Sequence, residues 1–251
     1  MMTSWDGISI DCIDGAVRLS WQKIDDPEKT AQLLLATADS IFTRGLTHRV
    51  EARVITTDRQ GLHALHLARF RREGRLRSSL CIDGIWVDQF CYSLLKNDHV
   101  ASDEAFCATM DTVLPTHRII ARTLIRNEIG HILMVETTYH DEWTLPGGVV
   151  EEGESPLAGA QRETHEEIGY DPHLGSLLHV GWMPPYNGWS DAVEFTFDGG
   201  VIDNDQAKYI VPSDDEIADI HWTDLSQCAT HMSVDSYRRL QMMLDRRIYS
   251  D

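Results

Sequence analysis

The chain has 251 residues, 42% hydrophobic and 25% charged, the balance of a globular protein with room for one large domain or two ordinary ones. No apolar run approaches the ~20 residues that span a bilayer, and the opening MMTSWDGISIDCIDG carries acids where a secretion signal carries basic residues, so no membrane role is expected. Five cysteines (Cys12, Cys81, Cys91, Cys107, Cys228) are scattered without a CxxC pair, which points to reduced thiols in the cytoplasm and away from a disulfide framework or a zinc site.

Residues 1–100 read as β, β, α, β, α, β, β. Gly7–Ile13 and Ala16–Ile24 are short apolar runs around Asp14-Gly15, a hairpin signal. Pro27–Arg44 has helical spacing, with Ala31, Leu34, Leu35, Ala38, Ile41 and Phe42 on one face. His48–Thr56 alternates as a strand, and Arg59–Arg69 reads as a second helix. Arg75–Cys81 and Ile85–Leu95 are strands joined at Asp83-Gly84.

Two of these segments, LTHRVEARV (Leu46–Val54) and ARFRREGRLRSSLCIDGIWVDQFCYSLLKND (Ala68–Asp98), resemble the second half of a GNAT acetyltransferase. The resemblance runs over residues 16–98 and departs where that family's chemistry resides. GNAT enzymes hold the acetyl-CoA pyrophosphate on a glycine-rich loop at a helix N-terminus. Here the loop is Lys23-Ile24-Asp25-Asp26-Pro27-Glu28, without glycine and with three acids. Residues 1–100 are therefore expected to form a truncated, non-catalytic GNAT-like α/β domain, whose remaining role is a homodimer interface or docking surface. The arginines of Arg69–Arg77 are read as a solvated face.

Residues 101–116 are polar, lack periodicity and read as a linker ending near Pro115. The first hundred residues hold 13 basic and 13 acidic side chains, which leaves 9 basic and 27 acidic, the whole net charge of −18, on residues 101–251. Such a surface repels long polyphosphate chains, so a small ligand is expected and a nucleic acid polymer is not. Arg118–Ile125 and His131–Glu136 read as strands around a turn, Thr137–Trp143 as a loop. Leu174–Trp182, Ala192–Phe197 and Glu216–Trp222 read as strands, the last preceded by the acidic Ser213-Asp214-Asp215. Val234–Ile248 reads as a helix with Tyr237, Leu240, Met243 and Leu244 inward.

Between them lies Gly148–Tyr170, GVVEEGESPLAGAQRETHEEIGY. Ser155 suits an N-cap, Pro156 a first turn and Gly169 a stop. On that helix Glu163, Glu166 and Glu167 share one face, and Leu157, Ala160, Thr164 and Ile168 a neighbouring face that can pack on a sheet. Three like charges on one face repel each other and call for a positive partner. A divalent cation ligated by oxygen fills that role, Mg²⁺ being usual beside phosphate.

Gly148, Glu154, Arg162, Glu163, Glu166, Glu167 and Gly169 match the fixed positions of the Nudix hydrolase signature, with Thr164 and Tyr170 where that family is usually aliphatic. The resemblance implies an α/β/α sandwich over residues 117–251. It also implies that Glu163, Glu166 and Glu167, with the Gly148 carbonyl, hold Mg²⁺ or Mn²⁺. Arg162 would orient the glutamates or meet phosphate. The general base stays open between Glu166, Glu167 and Glu216. Trp143, Trp182, Tyr186 and Trp189 are candidates to stack a base. The expected function is metal-dependent cleavage of a phosphoanhydride in a nucleoside diphosphate linked to another group: a nucleoside triphosphate, ADP-ribose or a nucleotide sugar, or a dinucleotide. The alternative is a catalytically weak nucleotide-binding regulator on the same fold. Pro184, fifteen residues beyond Gly169, resembles ADP-ribose-cleaving members, while the SQPWPFPxS-like motif of NADH-cleaving members is absent.

Overall fold

A computed structural model gives the architecture, describing residues 3–5, 7–13, 15–21 and 25–247. The chain divides into two compact units, Met1–Pro115 and Thr116–Asp251.

The first unit is a mixed sheet with helices. Its strands β1 (Thr3–Trp5), β2 (Ile8–Ile13), β3 (Ala16–Trp21), β4 (Arg49–Ile55), β5 (Arg71–Ile82) and β6 (Ile85–Leu95) lie in the order β1-β2-β3-β4-β6-β5. The β3–β4 pair is parallel, its crossover made by α1 (Pro27–Thr43). Asp26 caps that helix, its carboxylate accepting from the Lys29 N–H at 3.0 Å, so the acidic segment before it has a structural use. The expected face of α1 is the buried one: Leu34 is fully covered, with Ala31, Ala38 and Ile41 beside it. Helix α2 (Arg59–Leu67) buries Ala64 and Leu65 in the same core. The expected strand end at Gln22–Ile24 lies outside the described residues.

The linker expectation is corrected. Residues Asp103–Asp111 form helix α3, capped by Ser102, and belong to the first unit. The Arg72 N–H donates to Thr112 Oγ1 at 3.0 Å just beyond it. Its buried positions are Ala105 and Thr109, one small and one polar, which is why no apolar period marks it.

The second unit has strands β7 (Arg118–Asn127), β8 (Ile132–Thr137), β9 (His140–Thr144), β10 (Gly147–Val149), β11 (Leu177–Met183), β12 (Ala192–Ile202) and β13 (Ile217–Thr223). The sheet order is β11-β12-β7-β8-β13, with β10 on β7 and β9 on β8. Thr137–Trp143 is thus not a loop: β9 pairs back on β8 through Val135↔Thr144 and Thr137↔His140. The helices are α4 (Pro156–Ile168), the short α5 (Asn204–Ala207) and α6 (Leu225–His231), and α7 (Val234–Arg247). Neither α5 nor α6 was expected, and Ile248 lies outside the described residues.

Alternation along β7 builds the layers. Its odd positions face α4: Ala121 packs with Ala160, and the Thr123 hydroxyl meets that of Thr164 at 2.9 Å. Leu124, on the other side, joins Leu240 and Met243 of α7. The result is an α/β/α sandwich. Of the expected sheet-facing residues of α4, Ala160, Thr164 and Ile168 are buried. Leu157 is exposed, and Gly159, two residues further on, is buried instead.

Candidate active site

Helix α4 begins at Ser155, whose hydroxyl accepts from the Ala158 N–H at 3.2 Å, and ends at Gly169 in the left-handed conformation (φ 66°). That fixes which side chains rise beside strand β10. Arg162 spends its whole donor set on the protein. Nε and Nη2 reach Glu154 at 3.1 and 3.0 Å, and Nη1 reaches Glu163 and Glu166 at 2.8 Å each. Nη2 also donates to the Val149 carbonyl at 3.1 Å. All five of its N–H groups are thus spent on the protein, an arrangement that suits the orienting role of the two expected. Its bonds to Glu154, then to Glu163 and Glu166, raise its pKa further, while Arg162 holds the Glu154 carboxyl below the usual range.

The other acids are less compensated. Burial pushes the Glu163 carboxyl up despite Arg162. Burial also pushes Glu167 up to about 7, with the charges of Glu163 and Asp214 adding to it, against the opposing Gly147 N–H and Arg122. The Gly147 N–H donates to Glu167 Oε2 at 2.7 Å. A Cβ on Gly148 would meet the Glu163 carboxylate and require that side chain to shift, whereas Gly147 combines a positive φ of 130° with a Cβ position blocked by the Ala121 and Arg122 backbone. Glu166 is the most open of the three, its side chain 48% exposed against 20% for Glu163.

Among the described residues no three His, Cys, Asp or Glu side chains already surround one point. Arg162 draws Glu163 and Glu166 to itself, while the Gly147 amide holds Glu167. The chemistry of the donor set nevertheless fits a divalent cation. It is all hard oxygen, it carries more negative charge than Arg162 neutralises, and each carboxylate keeps one oxygen outside the hydrogen bonds named above.

Glu216 stands exposed before β13, its carbonyl accepting from the Thr138 N–H at 2.8 Å. Its charge, with those of Glu167 and Glu163, acts on the Tyr139 phenol, so it shares their electrostatic neighbourhood. The Ser213 N–H donates to the Glu167 carbonyl at 2.9 Å and anchors the acidic loop on the end of α4. Asp214 and Tyr139 were missed by sequence reasoning: one lies in an acidic run, the other in an unpatterned turn.

Beside the acids opens a cavity of about 240 Å³, lined by even positions of β7, by β9, Glu194, the 183–189 segment and α7. Trp143, Tyr186 and Trp189 line it. Trp143 cannot stack a base, because His221 and His231 lie parallel to it with ring centroids 3.8 and 3.7 Å away, filling both faces. Trp182 is not in the cavity. It pairs with Val193, which pairs with Ile119, and so faces the α4 side of the sheet, edge-on to His117. Tyr186 and Trp189 remain, 61% and 63% exposed. Arg122 joins the cavity to the acids: its Nη1 donates to the carbonyls of Leu145 (2.7 Å) and Gly147 (3.2 Å), on the loop whose amide holds Glu167. Arg118, Arg122 and Arg239 give the cavity three cations in an acidic chain.

A stretch of 55 residues is 38% identical to the RNA pyrophosphohydrolase of Psychrobacter sp. (strain PRwf-1), covering 22% of this chain and 32% of that protein. The chain thus spans about a third of the length of that relative. Among solved structures, the MutT protein from Methanosarcina mazei Go1 is 25% identical at a TM-score of 0.44, over 54% of this chain and 96% of that one. The ribosomal-protein-S5-alanine acetyltransferase from Vibrio fischeri is 21% identical at a TM-score of 0.34, over 36% of this chain and 54% of that one. A likeness at that score assigns the first unit no activity. The NUDIX domain model matches residues 116–241, half of the chain. With the α/β/α sandwich and the Arg162–glutamate cluster in that span, the chain belongs to the NUDIX domain family.

Proposed function

We propose that the second unit is a divalent-metal-dependent pyrophosphohydrolase cleaving a phosphoanhydride in a nucleoside diphosphate linked to another moiety. The observation that carries this is the junction at Gly147. One side of the loop holds Glu167 among under-compensated acids, and the other is held by Arg122 at the wall of an aromatic, cationic cavity. The pyrophosphohydrolase name of the relative above supports the reading for the bond cut.

Glu163, Glu166 and Glu167, with the Gly148 carbonyl, would hold Mg²⁺ or Mn²⁺, which when bound supplies charge neutralisation on the phosphates and a more acidic water. Arg162 would bridge and orient Glu163 and Glu166 without touching substrate. The base that accepts a proton from the attacking water would be one of Glu166, Glu167 and Glu216. Arg122 meets the phosphates, and Tyr186 and Trp189 the planar ring.

The test is a panel of nucleoside triphosphates, ADP-ribose, nucleotide sugars and dinucleoside polyphosphates, with Mg²⁺, Mn²⁺ and chelator. Metal-dependent release of a nucleoside phosphate or inorganic phosphate is expected. Full turnover in excess chelator, or binding of the panel without any turnover, would overturn the reading, the second result favouring the regulatory alternative.

A further inference from the structure

Among the described residues Glu194 is the one acidic side chain that is buried, at 6% exposed. A buried carboxylate needs partners, and it has two. Its Oε2 accepts from Arg122 Nε at 2.9 Å, and its Oε1 lies 3.6 Å from Arg239 Nε. Arg122 is thus hydrogen-bonded through Nε, and Arg239 lies in ion-pair range of the same carboxylate through its own Nε. Arg122 Nη1 is spent on the Leu145 and Gly147 carbonyls, and Arg239 Nη2 on Ser236 Oγ at 2.9 Å. Among the described residues, Arg122 Nη2 and Arg239 Nη1 are left without a hydrogen bond, on two residues that line the cavity. Buried ion pairs add little stability over apolar side chains of similar size. What this one provides is a fixed orientation for two cations in a concave site.

The far side of the cavity is also built before any ligand arrives. Tyr186 and Trp189 face each other across Asn187-Gly188, whose φ values of 48° and 85° give the primed turn that closes a two-residue hairpin. The two residues exchange N–H···O bonds of 3.3 and 2.9 Å, and the Arg118 guanidinium lies 4.8 Å from the Trp189 ring centroid. The cavity therefore offers an aromatic pad and a pair of cations.

We propose that Glu194 is a positioning residue that holds Arg122 and Arg239 as a clamp for one phosphate, so that the cavity takes the nucleoside 5′-monophosphate portion of the substrate. The inference rests on the reading above of this cavity as the substrate's cleft. It also has a sign. If Glu194 acted only through its charge, neutralising it would make the cavity more positive and tighten phosphate binding. If it positions the arginines, neutralising it loosens phosphate binding and leaves the ring alone.

The experiment uses the full chain in EDTA, which removes turnover and metal bridging. AMP and adenosine are titrated by calorimetry and tryptophan emission. Wild type is expected to bind AMP more tightly than adenosine. Glu194→Gln should weaken AMP about tenfold, the scale of one hydrogen bond to a charged group, with adenosine unchanged. Arg239→Met, which keeps the stem and leaves the buried carboxylate its Arg122 partner, should do the same and decides the matter if Glu194→Gln does not fold. With Mg²⁺ and whichever nucleotide the panel identifies, Arg239→Met should raise KM more than it lowers kcat. Unchanged or tighter AMP binding in Glu194→Gln, a parallel loss of adenosine, or no AMP binding by wild type each overturns the clamp. Metal-dependent turnover without AMP discrimination overturns the clamp and spares the hydrolase reading. AMP discrimination lost as expected, with no nucleotide turned over, does the reverse.

Discussion

Glu167→Gln separates a metal ligand from a merely buried acid. A carboxyl pushed from its ordinary 4.5 up to about 7 resists ionisation by about 3 kcal/mol. Because the folded pKa is the raised one, that stability is fully present below pH 4.5 and is lost as pH rises through about 7 in metal-free protein. Glutamine stays neutral throughout and keeps an oxygen for the Gly147 N–H. In EDTA at pH 8 the variant should therefore melt higher than wild type, by on the order of 10 °C, and the two curves should converge near pH 4.5. Adding Mg²⁺ should reverse the order, since wild type gains a bound cation and the variant lacks a ligand charge. In turnover kcat should fall by roughly 10²-fold, about 2.7 kcal/mol in barrier. His165→Gln is the control, because that imidazole pairs outward with Asp171 at 2.9 Å and should leave both readouts unchanged. Melting and turnover measured across pH, with and without Mg²⁺, decide it. A variant that keeps wild-type activity and metal-induced stabilisation would refute the assignment.

Three further outcomes are expected. Arg162→Lys loses the fork that serves Glu154, Glu163 and Glu166 at once, and should cost about 1–3 kcal/mol of metal-free stability together with turnover, read by denaturant melts and kinetics. In the first unit, Arg49 holds Glu51 and Glu73 below the usual carboxylate range, so this stability is present above pH 4.5 and lost as pH falls; Arg49→Met should move the acid unfolding midpoint upward, and an unmoved midpoint would count against the network. A chain of residues 116–251 should keep most of the turnover number, and a folded but inactive product would make the first unit part of the active site.

How much could be read beforehand depended on whether the residues are close in sequence. Ser155, Pro156, Arg162, the three glutamates and Gly169 lie within one helix and its caps, where 3.6-residue spacing converts order directly into a face. Arg122, Glu194 and Arg239 come from two strands and a helix, 72 and 45 residues apart in sequence, and no local period announces that they meet. Trp143 misled for the same reason: its composition suits base stacking, but the imidazoles that cover it arrive from β13 and the end of α6. Helix α3 escaped because its buried contacts are Ala105 and Thr109 rather than large apolar side chains.

The alternation of β7 also separates what the chain can vary from what it cannot. Arg118, Ile120 and Arg122 point into the cavity, while Ala121 and Thr123 hold α4. A library randomised at 118 and 120 would explore new ligand preferences against an unchanged scaffold, since those side chains lie on the face away from α4. Inserting a single residue between them would do the opposite, driving arginine into the helix interface and alanine into the cavity in one step. Diversification of this strand is therefore open to point changes and closed to changes of length.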